Sequence, residues 1–145
     1  MDKIRIISSI FLILLVCFIV SSTQGGKFDN VVVSIGESDN FTERELNEAI
    51  DAVKRKFRGF DGCEMTELWY SEKDSIKTIE GYLNSGGGSG KSIKKENIVV
   101  LFSNFTVDSS GADHGFNPNS TYTDWDWILV RNSLTNNWRV VDWGY

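Results

Sequence analysis

The sequence predicts an α+β fold, in which helices pack on one face of an antiparallel β-sheet. Apolar residues recur at helical spacing in the first half of the chain, and three strand-like segments follow one another closely in the second half. Strands joined by short links pair antiparallel, because a parallel pair needs a long crossover connection. An amphipathic helix then buries its apolar stripe against the sheet, which produces the layered fold.

The first helix is the clearest predicted element. Thr42 and Glu45 have the spacing of a capping box, in which each side chain bonds the backbone of the other residue. Apolar residues then recur at helical spacing from Leu46 to Phe57, and Gly59 ends the pattern. The pattern therefore predicts a helix with one buried stripe.

Alternation and a second capping signal predict the remaining elements. Cys63–Tyr70 alternates as a half-buried strand does, and Ser71 with Asp74 begins a second helix of about three turns. A short strand is predicted at Val31–Ile35, ahead of the first helix. Three further strands are predicted at 97–107, 121–131 and 138–145.

Residues 1–22 have the order of a secretory signal sequence. The basic residues Lys3 and Arg5 precede an apolar run from Ile6 to Val20, and small residues follow that run. The run of about 15 residues is short for a membrane span, which needs roughly 20. We expect cleavage after Ser22, with an uncleaved anchor as the alternative, and both place the domain outside the cytoplasm, secreted or at the cell surface.

The rest of the chain is predicted to form one domain without internal repeats. Residues 23–40 are a lead segment, and residues 41–145 are long enough to bury a core. The formal charge of the whole chain is −5, and loss of the signal sequence makes it more negative. An acidic domain has no general attraction to nucleic acid or anionic lipid. We therefore predict no nucleic-acid partner, and membrane contact only through residues 1–22 if these stay uncleaved.

The cysteines predict a domain that is stabilised by packing. Only Cys63 remains after the signal sequence is removed, so an intrachain disulfide is excluded. We expect Cys63 to be buried as a small apolar residue, with a reactive thiol or an intermolecular bridge as alternatives. Cys17 lacks the small residue before it and the polar residues after it that a lipid-attachment cysteine needs, and it is interpreted as part of the apolar run.

Two loops suggest ligand sites but fail on spacing. Gly86–Ser92 ends in Gly-Lys-Ser, yet a phosphate-binding loop needs four residues between its glycines and this loop has three. Asp108, Asp113 and His114 share one loop, but they do not alternate as the oxygen ligands of a calcium loop do. We therefore predict a flexible surface loop and a polar loop, with no metal and no cofactor.

The last third of the chain concentrates aromatic residues and aspartates on two adjacent strands. On strand 121–131, alternation puts Trp125 and Trp127 on one face, and Asp124 and Asp126 on the other about 7 Å apart. On strand 138–145, alternation puts Trp138, Val140 and Asp142 on one face. It puts Val141, Trp143 and Tyr145 on the other face.

Two interpretations of this cluster stay open. Aromatic walls with a few carboxylates suit a cleft for a sugar or another polar small molecule, whereas tryptophans on strands also form core and cross-strand aromatic pairs. Paired carboxylates are also the groups that hydrolyse glycosides. The candidate ligand-binding residues are Tyr122, Asp124, Trp125, Asp126, Trp127, Asp142 and Trp143, and no catalytic residue is assigned.

Four segments are distributed along the chain after the signal sequence: 41–54, 62–70, 117–127 and the fairly specific ending Trp-Arg-Val-Val-Asp-Trp-Gly-Tyr at 138–145. Together they resemble an uncharacterised family of small exported proteins and lipoproteins of Gram-positive bacteria. The resemblance implies a cystatin-like or NTF2-like fold, with one or two N-terminal helices packed on a curved antiparallel sheet of about four strands. It implies no activity and no catalytic residue, and this chain departs from the lipoprotein members because it lacks a convincing lipid-attachment site.

Two functions remain open on these grounds. The first is an exported binding or interaction domain, whose partner is an unknown small molecule or protein. The second is a small hydrolase that uses Asp124, Asp126 or Asp142, with His114 as a further candidate, on a glycan-like or other polar substrate. We favour the binding domain, because the sequence holds no nucleophile, metal or cofactor motif of adequate specificity.

Overall fold

The structure is a computed structural model that describes residues 25–145, and the predicted signal sequence lies outside the described residues. The elements in chain order are β1 (Val32–Ile35), α1 (Glu43–Phe57), β2 (Cys63–Tyr70), α2 (Glu72–Asn84), β3 (Ile98–Val107), β4 (Ser120–Arg131) and β5 (Trp138–Gly144). The strands form one open five-stranded sheet in the order β1-β2-β3-β4-β5. β1 is parallel to β2, and every other neighbouring pair is antiparallel. The predicted α+β class is confirmed.

The two helices lie on opposite faces of the sheet, which corrects the prediction that they share one face. α1 packs on the face that holds Leu101 and Leu129, which we call the α1 face. α2 packs on the face that holds Val100 and Ile128, which we call the α2 face. The reason is β3, which is apolar on both faces, so each face needs a helix to cover it.

The sheet has five strands, where the resemblance implied about four. The additional strand is β1, which confirms the short strand predicted at Val31–Ile35. It lies in the predicted lead segment and pairs with the second half of β2. Lys27 forms a further bridge to Glu64, and its backbone N–H donates to the carbonyl of Cys63 at 2.9 Å. The segment before α1 is therefore part of the fold.

α1 begins where the capping box predicted. The N–H of Glu45 donates to the Thr42 hydroxyl at 3.3 Å, and the N–H of Thr42 donates to the Glu45 carboxylate at 2.9 Å. Arg131, near the end of β4, forms an ion pair with Glu45 at 2.7 Å and lies over the Trp138 ring at 4.5 Å. The start of the helix is thus attached to the end of β4 by a largely buried charge pair.

The α1 face contains the larger core. Trp127 is fully buried at its centre, and its indole N–H donates to the buried Ser103 hydroxyl at 2.8 Å. The rings of Phe57 and Phe60 pack against it at centroid distances of 6.2 and 5.3 Å. Cys63 is buried in the same core, as predicted, and burial raises the pKa of its thiol to about 11. A thiol of this kind is unreactive at neutral pH.

The α2 face contains a smaller core, in which Ile79 and Tyr82 cover the second face of β3. β2 pairs with β3 only as far as Phe102, so the start of β3 has no strand partner on that side. The buried Ser75 hydroxyl accepts the N–H of Val100 at 3.1 Å and satisfies one of these backbone groups. Within residues 25–145, no helix is long and apolar enough to span a membrane.

Candidate functional site

A β-bulge in β5 brings two of the predicted aspartates together. Ile128 pairs with Asp142 and Leu129 pairs with Val140, so Val141 is an extra residue on β5. Asp142 therefore lies on the α2 face and Val140 on the α1 face, which corrects the prediction that simple alternation puts them on the same face.

Asp126 lies on the α2 face as well. It pairs with Gly144 across the strands, while Asp142 pairs with Ile128. The two aspartates are therefore diagonal neighbours, with Cα atoms about 7–8 Å apart by sheet geometry. The bulge thus creates a carboxylate pair that strict alternation on β5 does not predict.

The pair opens into a cleft of about 300 Å³, which we call the acidic cleft. Its floor is the middle of β4 and the end of β5, and its walls are the last turns of α2 and the glycine-rich loop that follows. The lining residues are Thr78, Gly81, Tyr82, Gly86, Gly87, Asp126, Ile128, Asp142, Trp143, Gly144 and Tyr145. A cleft of this volume holds a small molecule.

The glycine-rich loop lies at the surface, as predicted, and part of it packs against this cleft. A Cβ atom on Gly88 would lie 2.5 Å from the Tyr82 ring, and one on Gly87 would lie 3.2 Å from a carboxylate oxygen of Asp142. Only glycine allows so close an approach of the backbone to the ring. The run of glycines is visible in the sequence. Its role, the close approach of the loop to Tyr82, depends on a contact that the sequence does not show.

The electrostatics of the cleft centre on Asp126. Burial, and then the negative charge of Asp142, raise the pKa of Asp126, while the backbone of Gly144 opposes the shift. Burial and Asp142 also raise the pKa of the Tyr82 hydroxyl. Among the described residues, no lysine or arginine lines the cleft and neither aspartate forms an ion pair. The cleft therefore presents an uncompensated carboxylate pair to a ligand.

Most of the predicted aromatic residues lie on the other face. Phe116, Tyr122, Trp125 and Tyr145 form a cluster at the edge of the α1 face, which we call the aromatic patch. The backbone N–H of Asn117 donates to the Tyr122 hydroxyl at 3.1 Å and holds the ring in place. Tyr145 is 81% exposed and also lines the acidic cleft, so it connects the two surfaces.

The remaining predicted site residues are distributed over three places. Trp127 belongs to the core, as described above. Trp143 is 40% exposed and pairs directly with Trp127, so its ring lies on the α1 face with Lys56 at 4.0 Å above it. Asp124 lies at a second bulge with a positive φ of 54° and lines a separate depression beside Glu67 and Asn104.

The loop that holds Asp108 and His114 borders another depression of about 300 Å³. His114 Nε2 lies 3.6 Å from the Asp61 carboxylate, and the Asp108 carboxylate accepts from the N–H and the hydroxyl of Ser110. These bonds lower the pKa of Asp108 and close a local turn. Within the part of the chain that the structure describes, no three His, Cys, Asp or Glu side chains are placed to hold a metal ion.

Comparison with known proteins finds no matching protein-family model, no matching curated protein and no matching solved structure. The class that the fold and site define is a small α+β domain with an acidic cleft between a helix end and a sheet edge.

Proposed function

We propose that this protein is an exported binding domain that holds a small polar ligand in the acidic cleft. The observation that carries the proposal is Asp126, a half-buried carboxyl group beside Asp142 in a cleft without a compensating cation among the described residues. A charged group that is partly removed from water without a partner destabilises the fold, and a ligand that donates hydrogen bonds removes this cost.

The chemistry of the cleft favours a ligand rich in hydroxyl or amino groups. Asp142 accepts hydrogen bonds, and Asp126, because of its raised pKa, is protonated up to a higher pH than an ordinary aspartate and then also donates one. Tyr82 and Tyr145 add aromatic surface at two sides of the cleft. Aromatic faces beside carboxylates suit a sugar ring or a small amine.

The proposed location is outside the cytoplasm. The signal-like order of residues 1–22 and the resemblance to exported proteins support it. The cystatin-like or NTF2-like assignment stays a prediction, and a helix on each face of the sheet differs from the arrangement that the resemblance implied.

A hydrolase is the second candidate, and one specific observation favours it. Glycoside hydrolysis needs one carboxyl group that keeps its proton and a second that is ionised, and the raised pKa of Asp126 beside Asp142 is of this kind. Asp126 would protonate the leaving oxygen, and Asp142 would accept the proton of the attacking water. Asp124 takes no part, because it lies in a different depression.

Ligand binding can be tested on residues 23–145, because both core clusters draw on residues between 28 and 141. Native mass spectrometry of protein recovered from the host medium looks for a co-purified molecule. Thermal unfolding is then followed with a panel of neutral sugars, amino sugars and small amines. A ligand of the cleft should raise the melting temperature in proportion to the logarithm of its concentration.

The matched variants are Asp126→Asn with Asp142→Asn, and Asp29→Asn with Asp51→Asn on the exposed surface. Both remove two negative charges, but only the first pair should abolish the ligand effect. An equal response of the two double variants, or no bound molecule in either experiment, would contradict the binding proposal. Release of nitrophenol from a nitrophenyl glycoside, with a rate that falls as Asp126 ionises and is lost in Asp126→Asn, would instead establish the hydrolase.

A further inference from the structure

The end of α1 carries a dense group of positive side chains, which we call the basic end. Lys54, Arg55, Lys56 and Arg58 occupy four of five consecutive positions, and all except the half-buried Lys54 are exposed. The chain as a whole has 20 acidic and 15 basic residues. The basic end therefore differs in sign from the net charge of the protein.

Three of these four cations pack on aromatic rings, and within the described residues none packs on a carboxylate. Lys54 and Arg58 lie 5.9 and 5.5 Å from the centre of the Phe28 ring, and Lys56 lies 4.0 Å from that of Trp143. None of the four forms an ion pair within residues 25–145. Basic residues in a last helical turn also stabilise the helix dipole, but that role needs no aromatic support. Their charge thus remains available to an external anion.

The chain enters the domain at this same place. The N–H of Gly26 donates to the carbonyl of Arg58 at 3.1 Å, and a Cβ on Gly26 would collide with the backbone of Phe57. The apolar run ends at Val20, and the five residues from there to Gly25 span at most roughly 18 Å. A chain held in a bilayer by that run would therefore keep the basic end close to the membrane surface.

We propose that the basic end binds the phosphate headgroups of an anionic membrane, which departs from the prediction, made from the acidic net charge, of membrane contact only through residues 1–22. The attraction is local, because salt at physiological strength screens charges beyond about 8 Å, so acidic residues farther away oppose it only weakly. The exposed Asp51, one turn before Lys54 and Arg55 on α1, is the acidic residue that opposes it directly. Phe28 and the half-exposed Trp143 supply the aromatic side chains that favour the region between headgroups and acyl chains. This inference does not depend on the acidic cleft, which lies on the other face of the sheet.

The test uses residues 23–145, so that the apolar run does not contribute to binding. Sedimentation with vesicles of equal parts phosphatidylglycerol and phosphatidylcholine is compared with sedimentation with phosphatidylcholine alone, at low salt. We expect binding to the anionic vesicles only, because each basic residue near such a surface strengthens partitioning about fivefold. Raising the salt to about 0.5 M should release the wild-type protein.

Two variants with the same change in net charge distinguish binding by the basic end from an effect of the overall charge. Replacement of Lys54, Arg55, Lys56 and Arg58 by glutamine should weaken partitioning at least about tenfold. The control replaces Lys73, Lys77, Lys94 and Lys95 by glutamine and should bind within about twofold of the wild type. Equal losses in both variants, or no salt-dependent binding of the wild type to anionic vesicles, would overturn the proposal. If the first variant fails to fold, quenching of Trp143 fluorescence by brominated lipid decides, in a Trp69→Phe, Trp125→Phe, Trp138→Phe background that leaves only the buried Trp127 besides Trp143. Absence of quenching overturns the proposal as well.

Discussion

The face of the sheet under α1 is closed, whereas the face under α2 is open at one end. On the α1 face, Phe57 and Phe60 pack against Trp127, and none of its ring is exposed. On the α2 face, Tyr82 belongs to the last part of the helix, and beyond it the sheet surface is formed by Asp126 and Asp142. The same sheet thus carries a core on one side and a candidate binding cleft on the other.

The difference between the faces comes from bulges as much as from the helices. Residues of β4 next to the core keep strict alternation from Trp125 to Val130. One bulge lies at Asp124, just before that regular part of β4, and the other lies at Val141 in β5, opposite Ile128 and Leu129. Each bulge redirects an aspartate, and one of them produces the carboxylate pair. Regular alternation thus builds the closed face, and departures from it build the open one.

The largest loss of stability is expected for a substitution in the core of the closed face. Trp127→Ala removes a fully buried ring and the donor to Ser103, so the free energy of unfolding should fall by about 3–5 kcal/mol. Trp143→Ala should cost about 1 kcal/mol, because its ring is 40% exposed. Denaturant unfolding followed by circular dichroism measures both. Similar losses for the two variants would show that Trp127 does not lie at the closed centre of the α1 face.

A smaller effect is expected where α2 joins β3. Ser75→Ala leaves the buried N–H of Val100 without its acceptor, which should destabilise the protein by about 1–3 kcal/mol. Ser92→Ala changes an exposed hydroxyl and should stay within about 0.5 kcal/mol of the wild type. Urea unfolding provides the comparison. A neutral result for Ser75→Ala would mean that α2 is not attached to the sheet through this bond.

Thr42→Ala tests the attachment of α1 and should cost about 1 kcal/mol through loss of the helix cap.

The backbone N–H of Thr42 lowers the pKa of Glu45, so the ionised carboxylate stabilises the fold above its unfolded pKa. This contribution is lost as the pH falls through the folded pKa. Thermal unfolding between about pH 3 and 7 should therefore show Glu45→Gln approaching the wild type in acid. A difference that does not change with pH would contradict a stabilising role of the charge.

The smallest change in the free energy of unfolding is expected in the open cleft. There the substitution should stabilise the protein, whereas the substitutions above destabilise it. Because burial and Asp142 raise the pKa of Asp126, the wild type loses stability as the pH rises from the unfolded to the folded pKa. Asp126→Asn removes that loss and should be more stable at pH 7, by less than about 1 kcal/mol after solvent screening. The gain should vanish below the unfolded pKa. Asp51→Asn is the exposed control. An Asp126→Asn protein that is less stable than the wild type at pH 7 would contradict the conclusion that the Asp126 carboxylate is unpaired in the cleft.

Local sequence signals predicted the elements well, because each depends on neighbours along the chain. The start of α1 follows from Thr42 and Glu45, and Cys63–Tyr70 is the strand that its alternation indicated. The burial of Cys63 was also predictable, since its neighbours form a strand that must face a core. Of the predicted site residues, Asp126 and Asp142 lie together in the cleft, while Trp127 lies in the core.

The sequence by itself determined the α+β class, the strands of the second half and the acidic and aromatic character of the last strands. Those features follow from periodicity and composition, which do not depend on distant contacts. Only the tertiary structure decided that the helices take opposite faces, that a bulge places Asp142 beside Asp126, and that the glycine loop closes on Tyr82. These features depend on which strands pair and in what register. The pairing and register are determined by contacts between residues that are far apart in the chain.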